Sequence, residues 1–223
     1  MRIKETKIYQ YDELSDKAKE KAREWYRTDY PDYNWWDFLY EDFEQRAKEL
    51  GIELSQKAVL LMNGKTRYDP EIYFSGFYCQ GSGSSFAGKW RAWDMNPDKL
   101  KSECPTDSEL HRISNVLVDC ANEDGEMWAD IEAHHDNWIR VEVTDGDTIE
   151  EKLNELEYGS IEYNLYSKAC EQRADEVAKA LKDFNRWIFR RLEEEYEYLT
   201  SDEQVEDSVR VNGYEFTEDG KIA

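Results

Sequence analysis

Apolar and polar residues alternate over residues 3–9 (IKETKIY), the period-two pattern of a short strand. The period then changes. Ser15 is a good N-cap, and Ala18, Ala22, Trp25 and Tyr26 follow on one face at helical spacing, so a helix is predicted from Ser15 to the break at Pro31. A second helix is predicted over about 34–50. Its buried stripe is Trp36, Leu39, Phe43, Ala47 and Leu50, and Gly51 ends it.

The middle of the chain reads as extended structure. Lys57–Met62 forms a strand leading into Asn63-Gly64, the pair preferred in type I′ hairpin turns. Ile72–Phe77 is a second strand, QGSGSS (80–85) a glycine-rich turn, and Phe86–Trp93 resumes the extended pattern. A helix starts at Thr106, where Thr106 and Glu109 make a T-x-x-E capping box and Leu110, Ile113, Val116 and Leu117 form the inner face.

Another hairpin follows. Met127, Ala129, Ile131 and Ala133 share one side of a strand, and Trp128, Asp130, Glu132 and His134 the other; Ile139, Val141 and Val143 alternate in the returning strand. One long helix is predicted over about 165–199, with Cys170, Ala174, Val177, Leu181, Phe184 and Ile188 as its core seam. Ser201 and Gln204 open a short helix ending near Gly213, and Asp219-Gly220 marks a last turn. No repeat or linker interrupts the chain. The expected architecture is one α+β domain over 1–223, with antiparallel hairpins packed on several helices including the long C-terminal one.

Composition narrows function more than fold. Eight Trp and fifteen Tyr mark a folded chain despite 36% charged residues. The net charge of −22 disfavours direct binding to nucleic-acid phosphates or anionic membranes and points to a basic protein as the complement. Cys79, Cys104, Cys120 and Cys170 lack the close spacing of a zinc site and are expected to be reduced thiols. MRIKETKIYQ has no apolar signal core and no apolar run approaches a membrane span, so a cytoplasmic location is expected.

The acidity is uneven. Residues 51–100 carry a net charge of +1, and 101–223 a net charge of −20. The densest stretch, 119–157, has fourteen acids against Arg140 and Lys152 alone. Such a run is a solvated face or a surface that competes for a basic groove. Duplex DNA carries a charge every ~1.7 Å of axis, so a continuous acidic ridge would mimic it. Asp124, Glu126, Asp130, Glu132, Asp136, Glu142, Asp145, Asp147, Glu150 and Glu151 are the candidate partner-binding acids.

Catalytic candidates are weaker. Asp130, Glu132 and His134 put three metal-type donors on one strand face, but these are outer positions of an amphipathic strand. No Ser or Cys has a nucleophile context, so no catalytic residue, metal or cofactor is assigned. IYFSGFYCQGSGSSFAG (72–88) interleaves glycines with aromatics. It fits a bulged hairpin with a packed aromatic face, or a small-ligand site such as a nucleotide pocket lined by Tyr73, Phe77, Gln80 and Phe86.

Three stretches also resemble a family of phage- and prophage-encoded proteins commonly labelled antitoxins of a toxin–antitoxin stability system: 11–27, 72–88 and 187–221. In the middle stretch Phe74, Ser75, Gly76, Phe77, Gln80, Gly81 and Gly83 match an F-S-G-F-x-x-Q-G-D-G pattern, and Ser82 stands where the pattern has Asp. The resemblance implies a phage or mobile-element origin and no active site. With the acidity, it leads to the expectation of a non-enzymatic protein that binds and inhibits a basic toxin, nuclease or other nucleic-acid-handling protein.

Overall fold

The period-two stretches fold into antiparallel strands and the period-3.6 stretches into helices that cover them, an α+β fold. The computed structural model describes residues 6–29, 34–121, 126–134 and 137–223. In chain order the elements are β1 (Tyr9–Gln10), α1 (Asp16–Asp29), α2 (Asp37–Glu49), β2 (Ile52–Leu54), β3 (Gln56–Leu60), β4 (Thr66–Pro70), β5 (Ile72–Ser75), β6 (Gly83–Phe86), β7 (Gly88–Arg91), α3 (Pro97–Glu103), α4 (Ser108–Cys120), β8 (Trp128–His134), β9 (Trp138–Thr144), α5 (Asp147–Glu155), α6 (Ile161–Thr200), α7 (Asp202–Val211) and β10 (Glu215–Phe216). They fall into two compact units, Met1–Asp37 with Leu192–Ala223, and Phe38–Arg191.

In the larger unit, β2, β7, β8 and β9 form a four-stranded antiparallel sheet in that order. The register sets Ile52, Trp90, Ala129 and Val143 in one row, and Leu54, Gly88, Ile131 and Val141 in the next, on the inner face. Gly88 is required there, because a Cβ would lie 2.5 Å from the Glu53 carbonyl oxygen. The core side chains of the helices, Phe43, Leu110, Ile113, Leu117, Leu181, Phe184 and Ile188, are wholly buried.

α6 is tied to its neighbours by polar contacts within this core. The Ser84 hydroxyl donates to the Asn185 carbonyl at 2.9 Å, and Asn185 Nδ2 donates back to the Ser84 carbonyl at 2.7 Å. Trp187 Nε1 donates to Asp107 at 2.8 Å, and Arg112 pairs with the buried Asp183 at 2.7 Å.

In the smaller unit α1 and α7 enclose Tyr11, Leu14, Ala18, Ala22, Val205, Val209 and Phe216, with Trp25 and Tyr214 packed against them. The β1–β10 ribbon pairs Tyr9 with Phe216. The last turn of α6 contains no basic residue, and Arg27 supplies the missing donor to the Thr200 carbonyl at 2.8 Å. Pro31 and residues 3–5 of the expected 3–9 strand lie outside the described residues, and of residues 6–9 only Tyr9 is strand, as part of β1.

Some local expectations are corrected. Asn63 does not adopt a positive φ, so the β3–β4 turn is not type I′; Leu61 pairs with Lys65 and Gly64 alone, at φ +78°, takes the left-handed position. Strand β6 begins inside QGSGSS, at Gly83. Asp107, not Thr106, caps α4 by accepting the Leu110 N–H at 2.9 Å. α3, with Asn96 as cap and Pro97 at its first position, and α5 escape the apolar-period reading altogether.

Candidate acidic interaction surface

The outer face of the four-stranded sheet carries the strand acids. Its register places Glu53, Lys89, Asp130 and Glu142 in one row across all four strands. Asp130 and Glu142 are thus directly opposite, a destabilising arrangement for like charges. Cations relieve it: Lys89 reaches Asp130 at 3.2 Å, and Arg140, opposite Glu132 in the register, pairs with Glu142. Arg91 bonds Glu53 at 2.8 Å. Lys89, Arg91 and Arg140 interrupt the carboxylates on this face, so the sheet does not present a continuous acidic ridge. His134 stacks on Trp138 with centroids 3.8 Å apart. Among the described residues no group of three or more His, Cys, Asp and Glu is arranged to hold a metal ion.

Two further acids lie where the chain leaves β9 for α5. Glu126 packs against Gly146, the N-cap residue of α5, where a carboxylate complements the helix dipole. Asp145 is partly buried, one of its carboxylate oxygens is enclosed without a hydrogen-bond partner, and burial raises its pKa while Arg173 partly opposes the shift. A carboxyl whose folded pKa is raised favours folding below its unfolded pKa, and loses that contribution as the pH rises through the folded value. Asp145→Asn is therefore expected to melt higher than the parent at neutral pH, with the difference shrinking on acidification; thermal melts between pH 4 and 8 check this.

The remaining acids sit on α5 itself. Ile149 is buried and Leu153 and Leu156 half-buried, a stripe at i, i+4 and i+7. The opposite face carries Asp147, Glu151 and Glu155 at four-residue steps, with Glu150 beside them, all exposed. Among the described residues no ion pair engages these four. Like charges four apart weaken a helix, so this face is maintained against its own repulsion. Asp124 and Asp136 lie outside the described residues.

The glycine–aromatic segment forms the β5–β6 hairpin. Phe74 stacks on Phe77, which meets Phe189 of α6 at 5.6 Å. Tyr73 is opposite Ser85, and Phe86 opposite Ile72, so Tyr73 and Phe86 occupy opposite faces of the ribbon and do not line one pocket. The loop from Gly76 to Ser82, which contains Gln80, is pinned by Asn137: its Nδ2 donates to Ser75 Oγ at 2.5 Å and to the Gly81 carbonyl at 2.6 Å. Gly83 leaves room for Asn137, whose Cβ would lie 2.9 Å from an added Cβ. The match to F-S-G-F-x-x-Q-G thus coincides with a loop docked on the β8–β9 turn. Sequence reasoning missed Asn137, although an Asn at φ +60° in a tight turn is a familiar use of that residue.

A cavity of about 510 Å³ opens elsewhere, beside β2, lined by residues including Lys48, Ile52, Leu54 and Arg91. All four cysteines are free, and Cys79 is exposed in the loop. No helix of the described residues is long and apolar enough to cross a membrane.

No curated protein and no solved structure matches the chain. Residues 35–202 match a family described as a domain of unknown function, DUF8835, and the chain belongs to that family.

Proposed function

We propose that the chain is a phage-type accessory protein that binds and inhibits, or neutralises, a basic nucleic-acid-handling protein, acting as an antitoxin or anti-defence factor by occupancy rather than by chemistry. The observation that carries this reading is the outer face of α5. Asp147, Glu150, Glu151 and Glu155 stand exposed and, among the described residues, in no ion pair, whereas the strand acids Asp130 and Glu142 are paired. A groove that binds phosphates is lined with Lys and Arg, and a row of fixed carboxylates competes for it as a nucleic-acid mimic. The resemblance of 11–27, 72–88 and 187–221 to phage-encoded antitoxin-labelled proteins supports seeking that partner among toxins and host nucleases.

Charge-based docking of this kind is steered at long range and screened by salt. Capture from a bacterial lysate should retain a basic protein at low salt and release it at high salt. Reversing Glu150, Glu151 and Glu155 together to Lys is expected to weaken the purified complex by roughly 10- to 100-fold, measured by calorimetry. Binding that ignores both salt and charge reversal would falsify the reading.

A further inference from the structure

Beyond α5, the turn into α6 has a property that charge does not explain. Tyr158, Ile161 and Leu165 are 86%, 80% and 66% exposed. Isolated exposed apolar side chains are ordinary, but grouped ones mark contact sites. Ile161 and Leu165 are four apart and share one helix face. Ser160 begins α6 by accepting the Tyr163 N–H at 3.1 Å, and Tyr158 packs edge-on against Tyr163 at 5.1 Å, which holds it beside the helix. None of residues 161–169 is buried. Glu157 and Glu162 adjoin Tyr158 and Ile161 in sequence and Glu155 ends α5 three residues before Tyr158, and all three are exposed.

We propose that this ridge docks a basic amphipathic helix of the partner protein. Its apolar stripe would lie on Tyr158, Ile161 and Leu165, and its flanking Lys and Arg residues against the three glutamates. The inference rests on the acidic-surface reading and narrows it to one recognition mode. A ridge of residues four apart fits the groove between ridges of another helix, and central apolar anchors ringed by complementary charge are how such contacts gain specificity. A second copy of this chain is a poorer occupant, because at a net charge of −22 it would bring acids against acids.

The test uses the full chain and two labelled synthetic peptides of about 18 residues, long enough to form a helix. One places Leu at helical period among Lys; the other scrambles the same composition. Fluorescence anisotropy is expected to show the periodic peptide binding at least about tenfold tighter than the scrambled one. The double variant Ile161→Ser, Leu165→Ser should abolish that advantage without changing the circular dichroism spectrum or melting temperature. Equal binding of the two peptides to the parent would overturn the helix-docking inference while leaving the acidic surface intact. Absence of any binding at low salt would end both. A parent dimer that the double variant converts to monomer, seen by sedimentation velocity, would assign the ridge to a second copy and overturn the proposal.

Discussion

Trp187→Ala is expected to lower the unfolding free energy by about 3–5 kcal/mol, the usual cost of deleting a large buried ring. Trp187 is 3% exposed. Its ring stacks on Phe184 at 5.6 Å and meets Phe43 edge-on at 5.6 Å. Its indole N–H satisfies Asp107, the same carboxylate that caps α4. Removing it opens a cavity between α2 and α6 and strips one partner from the cap. Trp187→Phe retains most of the packing and loses the hydrogen bond, so about 1 kcal/mol is expected. Urea unfolding followed by far-ultraviolet circular dichroism separates the two variants; equal losses would mean that ring packing is not the main contribution.

Arg46→Met should be comparably damaging, at about 3–5 kcal/mol, for an electrostatic reason. The Arg46 guanidinium bonds Asp42 at 3.0 Å and both Glu49 and Glu103 at 2.8 Å, and the Glu49 side chain is only 2% exposed. Without Arg46, a buried carboxylate keeps only Lys99, at 3.4 Å. Adding Glu49→Met should restore most of the loss, since an apolar pair of similar size carries no unpaired charge. Acid sensitivity gives a second readout. The hydrogen bond from the Arg46 guanidinium holds the Glu103 carboxyl below its usual range. A depressed carboxyl contributes stability above its unfolded pKa and loses it as the pH falls through the folded value. The parent should therefore weaken more steeply on acidification than Arg46→Met, as measured by urea midpoints across that range.

Much of the fold was legible wherever burial is periodic. In the stripe Trp36, Leu39, Phe43, Ala47 and Leu50 all but the half-buried Trp36 are buried as their spacing predicts, and in the seam Cys170, Ala174, Val177, Leu181, Phe184 and Ile188 all but the half-buried Ala174. The failures come from partners distant in sequence. Thr106 and Asp107 are both competent caps, and Asp107 is the one used, where its second oxygen also meets an indole eighty residues away. Ser84 is turn-like by composition but sits in a strand, where Asn185 satisfies it across the core. α5 was hidden because Ile149 is the one fully buried side chain among its described residues, which gives a weak period. The site was legible as a charge count and not as a surface. Whether Asp130 meets Lys89 or only Glu142 depends on strand register, and the exposure of Ile161 and Leu165 depends on what the rest of the chain leaves uncovered.

The smaller unit imposes an order on synthesis. Its helices meet through contacts such as Arg23 with Glu206, separated by 183 residues, and its two strands through Gln10 with Glu215, separated by 205. On the ribosome, α1 emerges first and its Ala18–Ala22 face has nothing to pack on until α7 has been made. Residues 38–191 can collapse in the interval, since every strand of their four-stranded sheet is already present. Closing a loop of that length is a slow, non-local step. The Tyr11–Trp25–Phe216 aromatic cluster is thus the late-forming part of the molecule, and the nascent chain carries Trp25 exposed to chaperones and proteases until the final residues of the cluster arrive.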